Sequence, residues 1–175
     1  LRESLQVEAV LHAISAAETH EDLRQVYREQ IKKLQLLPFV TPELMEHIKV
    51  AYHRRMEEIS RELLHDIQNA LARLRSFEEL DLFRTRLSES LSRAVLSEED
   101  RSLIEDLLDH HRSRLRDEFL TNVAEKVHAL KDREALIAYW NSVKTQLFRF
   151  RHYVGKEYEA MIASYIDTQL QGSSL

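Results

Sequence analysis

Cysteine is absent from this 175-residue chain, which excludes a disulfide framework, a thiolate metal site and a thiol nucleophile. That absence fits a reducing compartment, and a cytoplasmic location is expected. Two glycines and two prolines leave almost no material for hairpins or long loops, so strands are not expected. No apolar run approaches the roughly 20 residues of a membrane span. The first residues lack the basic, apolar and small-residue order of a secretory signal. Also missing are a Gly-rich phosphate loop, a Gly-x-Ser-x-Gly elbow and a His-Glu-x-x-His zinc motif, so the chain is expected to be no enzyme and to hold no cofactor. A net charge of −5 provides no field to gather phosphates, which counts against nucleic acid as a partner. No helix sets a lysine-rich side against exposed Trp or Phe, which counts against a membrane surface.

What the chain does contain is a pattern stated three times. His20-Glu21-Asp22-Leu23, Phe77-Glu78-Glu79-Leu80 and Arg133-Glu134-Ala135-Leu136 each head an aliphatic helix at a spacing near 57 residues. A second helix start follows in each unit, at Thr41-Pro42-Glu43-Leu44, Ser97-Glu98-Glu99-Asp100 and Gly155-Lys156-Glu157-Tyr158. Ile48, Ile104 and Ile162 lie at matching depth behind them. A period of this length marks a tandem helical array.

The expected fold is therefore all-α, in three small three-helix units at residues 1–59, 60–115 and 116–171 that share long continuous helices. Residues 172–175 are expected to be a linker or tail, and the chain a piece of a longer intracellular protein. The first helix is predicted over residues 3–17, with Val7, Val10, Leu11 and Ile14 on one face. Leu37-Pro38-Phe39-Val40 breaks the second helix, and Thr41-Pro42-Glu43 supplies an N-cap, a proline at the first helical position and an acid at the positive helix end. From there nothing stops the helix until about Arg75, roughly 33 residues and 50 Å. Ser76 with Glu79 forms a capping box, Ser97 starts a second long helix, and Asp132 caps the next. The topology inferred from this alternation of short and long helices resembles spectrin-type rods, with helices about half as long and none of that family's sequence landmarks. The alternative is one compact antiparallel bundle in which the long helices pair.

Several clusters invite a chemical reading. Glu62-x-x-His65 and Glu125-x-x-His128 each place a carboxylate and an imidazole on adjacent turns, as di-iron bundles do. The glutamates needed from the neighbouring helix, such as Glu29, would miss them by roughly 15–20 Å in a hairpin, so no metal site is expected. His110-His111, flanked by Asp106 and Asp109, could form a metal or pH-sensitive pair, but the helical phase puts His111 on the apolar stripe between Leu108 and Leu115 and His110 in solvent. Arg54-Arg55 and Arg112, Arg114 and Arg116 read as solvated helix surface paired with acids such as Glu57, Glu58 and Asp117, or less readily as a recurring anion-binding face.

Charge sharpens the remaining candidate. Residues 1–66 carry 9 Lys and Arg against 12 acids, residues 67–122 carry 9 against 12, and residues 123–175 carry 7 against 6. In that last, non-acidic stretch, Phe148-Arg149-Phe150-Arg151-His152-Tyr153 alternates aromatic and basic residues. Phe148 and Tyr153 can close the end of the bundle, or the segment can grip a partner helix or acidic strip through aromatic anchors and bidentate arginines. The expected function is a non-catalytic scaffold or spacer segment that docks a protein partner through Trp140, Phe148, Arg149, Phe150, Arg151 and Tyr153. Apolar stripes left at the two ends also admit self-association. The alternatives are a compact bundle binding a metal or small ligand through Glu and His, and a nucleic-acid accessory domain.

Overall fold

The computed structural model describes residues 2–38 and 40–172 and is all-helical, with eight helices and no strand among the described residues. They are α1 (Arg2–Ala16), α2 (His20–Gln35), α3 (Pro42–Ala72), α4 (Phe77–Ser92), α5 (Glu98–Ala129), α6 (Arg133–Arg149), α7 (Arg151–Val154) and α8 (Lys156–Gly172). Of the expected breaker Leu37–Val40, Phe39 lies outside the described residues, as do Leu1 and residues 173–175 of the tail. Gly172, expected in that tail, is the last residue of α8.

The helix starts follow side-chain chemistry. Thr19 accepts a hydrogen bond from the Asp22 backbone N–H, Thr41 from Leu44, Ser76 from Glu79 and Ser97 from Asp100, and each bond satisfies an amide that the first helical turn leaves without a partner. Asp132 does the same for Glu134 at the head of α6. At Ser76 the expected box is closed one residue early, because the Glu79 carboxylate accepts from the N–H of Arg75, the residue before the cap, at 2.6 Å. Helices α2, α4 and α6 begin 57 and 56 residues apart, and the leucine three positions into each, Leu23, Leu80 and Leu136, is buried. Ile48, Ile104 and Ile162 are buried as well.

By compactness the chain divides in two. The first unit extends to Ala70 and takes in Arg84–Glu105; the second comprises Leu71–Phe83 and the chain from Asp106 onward. Within the first unit, α1, α2 and the N-terminal part of α3 enclose a core of Val7, Val10, Ile14, Leu23, Leu34, Ile48 and Ile59. Removing a leucine of this kind from water contributes about 2 kcal/mol. In the second unit α6, α7 and α8 pack on one another, burying Leu136, Val143, Leu147, Tyr153, Ile162 and Ile166. Helix α7 is a single turn that the sequence does not announce; Gly155, at φ +86°, ends it and its N–H donates to the Arg151 carbonyl.

Candidate functional site

Helix α6 turns Leu136, Val143 and Leu147 inward. On the adjoining flank, Ile137, Trp140, Lys144 and Phe148 recur at intervals of three and four and so stack on successive turns over about 16 Å. Phe148 is 75 % exposed, Ile137 is exposed and Trp140 is half-buried. Cations lie over both aromatic rings: the Lys144 ammonium is 5.1 Å from the Trp140 centroid, and the Arg151 guanidinium 6.0 Å from that of Phe148. Such contacts contribute about 0.5–1 kcal/mol at exposed sites. Neither Lys144 nor Arg151 has an acidic partner among the described residues. This flank is a strip of apolar and aromatic surface edged by two uncompensated positive charges.

The structure divides the six residues expected to dock a partner. Trp140, Phe148 and Arg151 belong to the strip. Arg149 is exposed but lies 3.4 Å from Glu78, with its guanidinium 5.0 Å from the Phe150 ring. Phe150 and Tyr153 are core residues, 9 % and 3 % exposed, and present no surface to a partner. Tyr153 stacks nearly parallel to Phe77 at 6.0 Å and its hydroxyl donates to Asp81 at 2.6 Å, while Phe150 lies 6.0 Å from Phe77 and 6.4 Å from Tyr153, so the three rings form one cluster. The reason is geometric: residues two apart on a helix point about 200° apart, and the chain also turns at Phe150 between α6 and α7, so the alternate residues do not share a face as they would in a strand.

In the two basic patches Arg55 pairs with Glu58 at helical spacing as expected, but Arg55 and Arg114 are also drawn in from the surface to backbone carbonyls. Arg55 turns inward and donates from Nε and Nη2 to the Ala17 carbonyl just past the end of α1, at 3.0 and 2.8 Å, while Nη1 meets Glu58 and Glu62. Arg114 repeats this in the second unit. Its Nη2 donates to the Leu71 and Leu74 carbonyls at the end of α3, at 3.1 and 3.0 Å, Nη1 pairs with Glu118, and Nε donates to His111 Nδ1. A cation at a helix C-terminus meets carbonyls without intrahelical partners and the negative end of the dipole. Arg112 lies 3.8 Å from Asp109, and Arg116 stacks 3.7 Å over Tyr158. Arg54 remains exposed.

His111 is buried and His110 exposed, as the helical phase predicts. Burial, then the neighbouring Arg114 and His110 charges, lower the His111 pKa. A second buried imidazole, His20, went unnoticed in the sequence. It is 3 % exposed, with Nε2 3.0 Å from Ser60 Oγ and 3.2 Å from the Met56 carbonyl, an arrangement in which Nε2–H is the donor. Burial lowers its pKa too, so the ring is held neutral. One signal could have found it: His20 occupies the helix-start position that Phe77 fills 57 residues further on, and Ser60 lies on the apolar side of α3.

Near His20 an open crevice of about 450 Å³ is lined by Glu18, Glu21, Glu62, Asp66 and Glu89, with Arg93 the basic residue on its wall. The side chains of both Glu-x-x-His pairs are exposed, and His65 meets Asn69 rather than an acid. No group of three His, Asp or Glu gathers among the described residues in a way that could hold a metal ion. No described helix is long and apolar enough to cross a membrane. Comparison of the chain with family models, with curated proteins and with solved structures finds no match.

Proposed function

We propose that this chain is a non-catalytic helical-repeat segment of a larger intracellular protein and that it docks a protein partner along the outer flank of α6. The observation that carries the reading is the exposed Phe148 beside Trp140, with Lys144 and Arg151 uncompensated along the same edge. Large aromatic and arginine side chains dominate the binding energy of protein interfaces. The pattern fits a partner helix with an apolar stripe and acids on its margin, in which carboxylates replace water around Lys144 and Arg151 while Phe148 and Trp140 are covered. Arg149 follows Phe148 about 100° round the helix, off the strip itself, and adds a third cation at its margin when it exchanges Glu78 for the partner.

The test is quantitative cross-linking from cells that express the full-length protein, comparing the wild type with Phe148→Ser/Arg151→Glu and with Arg149→Glu/Arg151→Glu. A partner enriched by the wild type should be lost, by roughly tenfold or more, from both variants at unchanged helicity. Equal recovery of every partner by all three proteins sinks the reading. The array of three units rests on the sequence period and has its own test in solution scattering. A single compact bundle of this length has a radius of gyration near ~16 Å, whereas a tandem array exceeds ~20 Å.

A further inference from the structure

The first unit carries a basic groove that its fold leaves without a counter-charge. Arg24, Arg28 and Lys32 line it from α2, with Tyr27, Ile31 and Tyr52 as its floor, in an open volume of about 410 Å³. Positions 24, 28 and 32 recur every fourth residue, so the three cations form a row along one helix edge with about 6 Å between neighbours. Like charges at this spacing weaken a helix. Acids stand within reach in sequence, yet none is used: Glu29 accepts from Gln25, and no carboxylate lies within ion-pair distance of Arg24, Arg28 or Lys32 among the described residues. Lys32, in the last turn of α2, is offset by the negative end of the helix dipole, but Arg24 and Arg28 lie farther back and gain nothing comparable from the helix.

The floor argues for the kind of occupant. Tyr27 and Tyr52 stack on each other at 4.1 Å, and the His53 ring stands edge-on to Tyr52 at 5.3 Å. A platform for nucleobases needs free ring faces, and mutual stacking leaves each of these tyrosines at most one. A single phosphate is best held by arginines that converge on one point. These three cations are spread in a row instead, and a row fits a row of carboxylates. We propose that this α2–α3 groove receives an acidic helical segment of a partner protein, whose carboxylates, one per turn, pair with Arg24, Arg28 and Lys32 while an apolar side chain rests on the tyrosine stack. The site is separate from the α6 strip and does not depend on it.

The probe is a fluorescein-labelled helical peptide of about 20 residues with Glu on three successive turns and Leu between them, titrated with the full chain by anisotropy. Wild type should bind it, binding should weaken as salt rises, and the Gln-for-Glu peptide should bind about tenfold less tightly. Arg24→Gln/Arg28→Gln/Lys32→Gln should lose about tenfold in affinity, while Arg54→Gln/Arg61→Gln/Arg73→Gln, which removes the same charge elsewhere, should keep it. Ring-proton shifts of Tyr27 and Tyr52 on titration should locate the peptide on the floor. No binding by the wild type, or equal loss in both triple variants, overturns the proposal. So does a single-stranded oligonucleotide, a phosphorylated peptide or an anionic vesicle that displaces the probe more strongly than the unlabelled peptide. Concentration-dependent dimerisation lost in the groove variant would instead assign the groove to a second copy.

Discussion

Replacing Arg114 by methionine tests whether the inward arginine is structural. Methionine keeps the apolar stem and removes the guanidinium, which makes four hydrogen bonds: to the Leu71 and Leu74 carbonyls, to His111 and to Glu118. Hydrogen bonds from a charged donor contribute about 1.5–3 kcal/mol when fully buried. The Leu71 carbonyl keeps a second donor, the Leu74 N–H at 3.1 Å, and Leu74 is half-buried and open to water. Each carbonyl bond is therefore discounted to about 1 kcal/mol. The Glu118 pair, with side chains 24 % and 42 % exposed, adds no more than about 0.5 kcal/mol. The expected loss is about 2–3 kcal/mol. With a urea slope near 2 kcal/mol per molar, the midpoint should fall by about 1–1.5 M. Trp140, the only tryptophan, belongs to the same unit, so its fluorescence reports the transition directly. Arg114→Lys should recover less than half, because one ammonium cannot replace a planar fork that serves two carbonyls and an imidazole. A midpoint within about 0.3 M of wild type would refute the reasoning and return Arg114 to the solvated surface.

Two further outcomes follow from buried groups. His20 and His111 have pKa values lowered in the fold, chiefly by burial, so the unfolded chain binds protons more readily. Their contribution to stability is full above about pH 6.5 and is lost as pH falls through the lowered folded values, so urea midpoints should drop between pH 7.5 and pH 5.5. His20→Gln should flatten that dependence, and a midpoint unchanged across the range in wild type would contradict the assignment. Tyr153→Phe keeps the ring against Phe77 but removes the 2.6 Å bond to Asp81, and should cost about 1 kcal/mol by thermal or urea unfolding. Partner capture by the α6 strip should be unaffected; loss of capture at full stability would make Tyr153 a docking residue after all.

Most of the fold was legible because helix starts are written in local chemistry. Thr19, Thr41, Ser76, Ser97 and Asp132 each act within three residues of themselves, and so the α2, α3, α4, α5 and α6 boundaries can be read one window at a time. The split between His110 and His111 was legible for a similar reason, since phase on a single helix decides it. Contacts made across the chain were not. Arg55 meets Ala17 across 38 residues, Arg114 meets Leu74 across 40, and His20 meets Ser60 across 40. Nothing local distinguishes such side chains from surface ones. In the Phe148–Tyr153 segment the sequence leaves open whether the aromatic residues close the bundle or face a partner, because the chain is helical up to Arg149 and turns at Phe150, and only that turn decides that Phe150 and Tyr153 are buried while Phe148 is exposed. The α2 row was visible at positions 24, 28 and 32, but it becomes a groove only when Tyr52 of α3 closes one side.

The positive charges of this chain sort by what the fold asks of them. Arg55 and Arg114, with side chains 15 % and 24 % exposed, are drawn in to carbonyls at helix ends and tied to glutamates. Their geometry is set by folding alone and leaves little for a ligand. Arg24, Arg28, Lys32, Lys144 and Arg151 are exposed, lack acidic partners among the described residues, and stand beside Tyr27, Tyr52, Trp140 or Phe148. The rings beneath Lys144 and Arg151 supply about what an exposed ion pair would, so what sets these cations apart is that their charge stays unneutralised, as it does in the row of Arg24, Arg28 and Lys32. The chain carries five more acids than bases, so counter-charges were available in composition and are simply not placed there. That placement is the ground on which we propose acidic, partly apolar helices as partners for these surfaces, and it distinguishes these cations from the arginines that the fold itself consumes.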